Sequence, residues 1–280
     1  MNKHEMTYAL KDDQLVHISQ VDSGIACNCR CPSCGEVLVA KKGNRKIHHF
    51  AHYNSDACES GYETSLHLLA KEVLSEAKQM VIPAVYVIDK NPDWRVSSKQ
   101  TICIDDVRLE RRVGNIIPDI IVSSKDRELL IEIYVTHPVD VAKLENIKSL
   151  HLSCLEIDLS QIKDEISKEM LACLLTQDCL NSRWVYNVYA DSYYKVYIQV
   201  QQKLKLKVHG FALHAMDCPI KARIWKGIPY ANVMDDCTGC EYYGRIEYDT
   251  QGESEYLCCT GKTRIHSLDS LRSYLASKRP

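Results

Sequence analysis

The spacing of hydrophobic and polar positions changes several times along the chain. In "YETSLHLLAKEVLSEAKQ" (62–79), Leu66, Leu69, Ala70, Val73, Leu74 and Ala77 follow helical spacing, which predicts an amphipathic helix. Glu63, His67 and Lys71 fall four apart and form a polar stripe along the border of that apolar face, with Glu63 nearest to it. Four short apolar runs follow, "VIPAVYVID", "TICIDDVRLE", "IIPDIIVSS" and "ELLIEIYVT", each predicting a strand. "VDVAKLENIKSL" then reads as a helix, "SCLEIDLS" as a strand and residues 160–175 as a further helix.

The segment "PDIIVSSKDRELLIEIYVTH" (118–137) adds chemistry to this pattern. A hairpin centred on Lys125–Asp126 pairs residues whose numbers sum to 251, which sets Asp119 opposite Glu132. Their Cβ atoms would then lie about 4.5–5.5 Å apart. Like charges so placed destabilise a sheet unless something compensates. A shared divalent cation does so, and carboxylate oxygens suit Mg²⁺ or Mn²⁺. Alternatively, one acid is exposed at a strand end and the other pairs with Arg or Lys.

Composition narrows the class. The chain has 280 residues, enough for one α/β domain and one or two small modules. With 45% hydrophobic and 26% charged residues it is globular. A formal charge of −2 gives no global basic field, so nucleic-acid contact must rest on local patches. "MNKHEMTYALKDDQ" lacks a signal-peptide core, and no apolar run approaches bilayer length. A cytoplasmic protein without a membrane partner is expected.

Fourteen cysteines in such a compartment point to metal before disulfides. Two clusters bracket the middle of the chain and suggest three units: a Cys/His module at 1–60, a central domain at 61–180 and a C-terminal module at 181–280. In "CPSCGEVLVAKKGNRKIHHFAH" (31–52), Cys31 and Cys34 form a C-x2-C knuckle. A hairpin turning at Gly43–Asn44 returns the chain to His49 and His52, which share a site if a helical turn starts there. The expected zinc ligands are Cys31, Cys34, His49 and His52, with Cys58 in reserve; Cys27 and Cys29 have no evident role. In the C-terminal module Cys237 and Cys240 form a second knuckle, which Cys218 and Cys259 complete as a four-thiolate site. Zinc is the first choice there, with an iron–sulfur cluster compatible with the spacing. Cys258 and Cys259 cannot both face inward on a strand, and the Thr-Gly after Cys259 favours it. Cys103, Cys154, Cys173 and Cys179 read as core residues. Lys41, Lys42, Arg45 and Lys46 form a basic turn that suits phosphate contact or a solvated loop. Lys205 and Lys207 lie in a Lys-rich, aromatic-interleaved stretch (195–226), which reads as a nucleic-acid surface or a solvated strand face.

A helix Glu, then Pro-Asp, then a Glu across a hairpin, then a helix, resembles the PD-(D/E)XK nuclease fold. With "CPSCG", "HHFAH", "ETSLHLLAK", "IIPDIIV" and "IEIYVTH", the chain resembles the competence protein CoiA-like family. The resemblance covers residues 6–160 well and the C-terminal module more loosely. It implies an α/β protein with an αβββαβ nuclease-like core flanked by two zinc modules. It also implies Mg²⁺- or Mn²⁺-dependent hydrolysis of DNA phosphodiesters in DNA uptake, recombination or defence. On this pattern Asp119, Glu132 and the Ile133 carbonyl bind the ion, and Glu63 holds a second ion or a bound water. The position usually held by Lys, two after Glu132, is Tyr134, which carries no charge at neutral pH. Lys71 can supply the missing ammonium, and His67 can orient the phosphate or be a plain surface histidine. Two other readings compete: a nuclease-like protein that binds nucleic acid without cutting it, and a zinc-stapled interaction subunit of a DNA-processing or phage-defence assembly.

Overall fold

The computed structural model describes residues 5–54, 58, 60–88, 91–162, 166–248 and 255–278. The chain divides into two compact units, one of Met1–Pro83 with Lys99–Val188 and one of Ala84–Ser98 with Tyr189–Pro280. Residues 1–60 and most of the central section therefore share one unit, and the short segment 84–98 joins the C-terminal part. Among the described residues no helix is long and apolar enough to cross a membrane.

The first unit opens with an antiparallel sheet of β1 (Tyr8–Lys11), β2 (Gln14–His17), β3 (Gly24–Arg30), β4 (Val37–Lys41) and β5 (His49–His52), in the order β2-β1-β3-β4-β5. Cys27 and Cys29 are buried in its core with Leu38 and Phe50, so they act as packing residues. Helix α1 (Gly61–Glu76) follows, then β6 (Gln79–Ile82). The next strands, β7 (Val85–Tyr86) and β8 (Arg95–Ser97), belong to the second unit. Back in the first unit, β9 (Gln100–Cys103) pairs with β6, and β10 (Asp106–Leu109) begins a second sheet. The apolar run 101–110 is thus two strands in two sheets, divided at Ile104–Asp105.

That second sheet continues through β11 (Ile120–Ser124), β12 (Arg127–Tyr134), helix α2 (Val141–Ser149), β13 (Ser153–Asp158), helix α3 (Lys168–Thr176) and β14 (Ser182–Tyr186). Its order is β10-β11-β12-β13-β14. β11 and β12 form a hairpin in which Ile120 opposes Ile131 and Ser124 opposes Arg127, the register the sequence predicts. Lys125 and Asp126 both have positive φ, +49° and +64°, as a two-residue type I′ turn requires. β12 and β13 run parallel, joined by α2, and Asp140 caps α2 by accepting from Lys143 N–H at 2.7 Å. α3 starts later than residue 160: Ser167 caps it, and residues 163–165 lie outside the described part.

Alternation along β12 divides the core. Leu129, Ile131 and Ile133 face α1 and α3, packing with Leu66, Leu69, Leu74 and Leu171. Leu130 faces the other way, with Ile121, Ile147 and Cys154. Each fully buried aliphatic side chain contributes about 1.5–3 kcal/mol before entropy is subtracted. Of the four cysteines expected in the core, only Cys154 lies there. Cys103 and Cys173 are exposed and Cys179 is half-buried, because Cys103 ends a strand of a two-stranded sheet and Cys173 lies on the outer face of α3.

The second unit contains α4 (Val188–Val200), β15 (Gln202–His209), β16 (Ala212–Met216), β17 (Arg223–Trp225), β18 (Ile228–Asn232), β19 (Tyr243–Tyr248), β20 (Glu255–Cys259) and α5 (Leu268–Ser277). Its sheet has the order β17-β18-β16-β15-β20-β19. Trp94 and Val87 from the segment 84–98 pack onto Tyr197 of α4 and onto Leu268 and Leu271 of α5.

Candidate functional site

Asp119 ends the loop before β11, one step beyond the last hairpin pair. Its Oδ2 accepts the Ile133 N–H at 2.9 Å, which ties it to the strand carrying Glu132. Its Oδ1 lies 3.2 Å from Lys71 Nζ and 3.5 Å from His67 Nδ1. Two members of the polar stripe on α1 therefore meet Asp119. Burial disfavours the charged form of Asp119, but His67, the Ile133 N–H and Lys71 outweigh it and hold the carboxyl well below its usual range. Lys71 is itself buried, which works against its charge. Glu110, 2.8 Å away, and Asp119 nevertheless raise its pKa above the ordinary lysine value.

Glu132 is in the opposite state. Its side chain is 5% exposed, and burial pushes its pKa up to about 7 even though Lys143 Nζ lies 2.6 Å from Oε2. The other oxygen, Oε1, has no hydrogen-bond partner among the described residues. Glu156, its register partner on β13, shows what a satisfied acid looks like in this sheet. It is equally buried, yet Arg183 Nε reaches one oxygen at 2.7 Å and Val139 N–H the other at 2.8 Å. A buried acceptor left open is costly, and oxygen donors are what a hard divalent cation takes. The residues present fit such an ion.

Glu63 accepts from Thr136 Oγ1 at 2.6 Å, just past the end of β12. Tyr134 is half-buried, two residues after Glu132. Lys143, Glu110 and Glu156 were not singled out in the sequence. The signal for Lys143 was its place in the first turn of the helix linking two parallel strands, since that turn returns over the end of the strand it left.

In the second unit Cys218, Cys237, Cys240 and Cys259 line one small cavity, and three of them share its apolar core. Burial and the neighbouring thiols push Cys237 up to about 12. Cys258 lies on the other face of β20, beside Glu247 and Arg245. Of the basic residues, Lys41, Arg45 and Lys46 are exposed along a cleft of about 700 Å³, whereas the Lys42 ammonium donates to the Val21 carbonyl. Lys205 and Lys207 are exposed on β15.

The N-terminal cluster is tighter. Cys31, Cys34, His52 and Cys58 bring their ligand atoms within 4.8 Å of one another, the one Cys/His/Asp/Glu group of that compactness among the described residues. Cys31 Sγ is 3.5 Å from Cys58 Sγ, and Cys34 Sγ is 3.2 Å from His52 Nε2. Gly35, at φ +73°, closes the knuckle by donating to the Cys31 carbonyl. Two thiolates, a third and an imidazole suit tetrahedral zinc, so this cluster can hold one.

Residues 16–61 match the family model described as Competence protein CoiA, N-terminal domain. No curated protein and no solved structure matches the chain. The matched span contains all four clustered ligands. It supports the CoiA-like resemblance for this module. The cluster geometry departs from the expected ligand set in one place, with Cys58 where His49 was expected. His49 is not a ligand: its Nδ1 contacts the Ile47 carbonyl and its Nε2 faces Glu5 at 3.3 Å. The reason is local. Residues 49–52 form strand β5, not a helical turn, so positions three apart point to opposite faces. Cys58 fills the vacancy. The CoiA-like module also reaches the start of α1, because a Cβ on Gly61 would meet Cys31 Sγ and Cys58 Sγ at 3.2 Å each.

Proposed function

We propose that the acids at the end of β12 form a divalent-cation site that hydrolyses DNA phosphodiesters. The observation that carries this reading is the open Oε1 of buried Glu132, set one strand from ionised Asp119. The element order supports it once β6–β9 are set aside as an insertion after α1: α1, the antiparallel strands β10–β12, α2, then β13 parallel to β12, in keeping with the PD-(D/E)XK pattern. The match to the CoiA N-terminal module supports a competence-related role, in DNA uptake or recombination.

In this reading Asp119 is held ionised and aimed by Lys71, His67 and the Ile133 N–H. Glu132 releases its proton and offers Oε1 as the second ligand, with Glu63 at the edge of the site. Asp119 and Glu132 would hold Mg²⁺ or Mn²⁺ there, and such an ion would supply positive charge to polarise the phosphate and lower the pKa of an attacking water. Lys143 takes the part of the missing lysine at Tyr134: its ammonium sits beside Glu132, from where it would stabilise charge developing on a bound phosphate. The two zinc modules act as structural staples, the second with zinc or an iron–sulfur cluster on Cys218, Cys237, Cys240 and Cys259.

A second reading has its own observation. Both acids already touch ammonium groups, Lys71 and Lys143, and Tyr134 is uncharged. A nuclease-like protein that binds DNA without cutting it would look similar. Incubating purified protein with single-stranded, linear duplex and supercoiled DNA in Mg²⁺, Mn²⁺ or EDTA separates the two. Cleavage that needs the ion and disappears in Glu132→Gln supports hydrolysis, and binding without cleavage supports the alternative.

A further inference from the structure

The sheet of the second unit has two unlike faces. Leu204, Leu206, Ala231 and Leu257 point into the core that holds the cysteines. Pair registers fix the residues on the opposite face. Lys207 opposes His214, Met216 opposes Tyr230, and Trp225 opposes Ile228. Lys205, Lys207 and His209 alternate along β15 on that same face, all exposed. Near its β19–β20 end, Lys203 and Arg245 are neutralised by Glu247, and Gln201 covers Arg245. At the other end, Arg223 is taken up by Asp235 and Asp236.

Between those two neutralised regions lies an open row of rings. Trp225 and His209 have centroids 6.3 Å apart, His209 and His214 5.4 Å, and His214 and Tyr230 5.0 Å. The four rings come from four strands and cluster around a cleft of about 200 Å³ lined also by Met216 and Ile228. Trp225 remains 56% exposed, with Lys226 Nζ 4.8 Å from its ring centroid. Lys205, Lys207 and Lys226 form no ion pair among the described residues.

We infer that this face binds single-stranded DNA, with bases stacked on the exposed Trp225 and His209 rings at the mouth of this cleft and phosphates tracked by Lys205 and Lys207. The argument is one of complementarity. Trp225 and His209 are exposed, and a flat exposed ring accepts the π-face of any base. Alternate lysines on one strand stand about 7 Å apart and present unpaired charge to a backbone beside the rings. A duplex hides its base faces, so it offers the rings nothing. A hydrophobic protein partner would leave the lysines uncompensated. The sequence stretch 195–226 hinted at such a surface, but part of it serves otherwise: Tyr197 is buried against Trp94, and Lys195 pairs with Asp191.

This inference shares its ligand with the proposed function but rests on none of the same residues. It is tested on the zinc-loaded full chain in buffer freed of Mg²⁺ and Mn²⁺, where ion-dependent cleavage is absent, so the two can fail separately. Fluorescently labelled oligo(dT) should bind, and Trp225 fluorescence should be quenched. Trp225→Ala and His209→Ala, both at exposed positions, should each weaken binding about tenfold. Lys205→Ala and Lys207→Ala should each lower the salt slope of log K by about 0.7. Variants that bind like the wild type, or a duplex or RNA oligonucleotide that outcompetes the DNA single strand, would overturn it.

Discussion

Lys143 Nζ lies 2.6 Å from Glu132 Oε2, while Oε1 of the same carboxylate has no partner among the described residues. A buried acid is thus half satisfied. Lys143 stabilises its charge and desolvation opposes it, and desolvation prevails.

The consequence for the metal-free protein is a stability that depends on pH. Glu132 moves from an ordinary 4.5 to about 7 on folding, so its protonated form is favoured in the native state. That contribution is fully present below about pH 4.5 and is lost as pH rises through 7. Its upper bound is about 3 kcal/mol. Glu132→Gln removes the titration. In buffer freed of Mg²⁺ and Mn²⁺, the melting temperature of this variant relative to wild type should rise between pH 5 and pH 8. A difference that stays flat across this range contradicts the assignment.

Lys143→Ala should raise the apparent pKa of Glu132 further, because the opposing charge is gone. Lys143 is partly exposed, so little stability is lost in neutral solution. Cleavage, however, should fall by about 10²-fold if the ammonium faces developing phosphate charge. A shifted pH–rate profile, as well as a lower rate, distinguishes this role from simple packing.

The N-terminal zinc cluster makes a contrast between two neighbouring histidines. Elemental analysis should find zinc retained in His49→Ala and lost in His52→Ala or Cys58→Ser. Burial pushes the Cys31 thiol up to about 12 without metal, so binding must displace protons and should weaken at acidic pH. Gly61→Ala should also loosen the site, since its methyl would press on two sulfur atoms. Zinc unchanged in His52→Ala would overturn the ligand set.

The C-terminal thiols should bring the total to about two metals per chain. Cys259→Ser should remove one of them and Cys258→Ser none, because the two side chains lie on opposite faces of β20. A brown protein absorbing near 400 nm would assign iron–sulfur to this site.

Much of the acid site could be read in the sequence because it depends on a short-range register. The alternation in 118–136 and the Lys125–Asp126 turn place Asp119 across from Glu132 with no tertiary information. The ligands that come from elsewhere were harder. His49 and His52 look equivalent until strand geometry separates them. Cys58 lies in a segment with no periodicity to orient it. Lys143 reads as an ordinary helix lysine, and only the parallel pairing of β12 with β13 brings its turn over Glu132. The break at Ile104–Asp105 carries no Gly or Pro, so a single apolar run hides two strands.

The central claim is that Asp119 and Glu132 hold a divalent cation. Asp119→Asn removes a charge that Lys71, His67 and the Ile133 N–H stabilise and should lower the melt, whereas Glu132→Gln should be tolerated, since burial already favours its neutral form and Lys143 is partly in water. Breaking a buried structural ion pair would instead cost about 3–5 kcal/mol. The deciding measurement is the thermal melt of zinc-loaded wild type, Asp119→Asn and Glu132→Gln at neutral pH, in buffer freed of Mg²⁺ and Mn²⁺ and with added Mn²⁺. The account predicts that Glu132→Gln melts close to wild type without Mn²⁺ and that only the wild type gains stability with it. A Glu132→Gln protein that melts far below wild type in its absence, or either variant gaining as much from Mn²⁺ as wild type does, would contradict it.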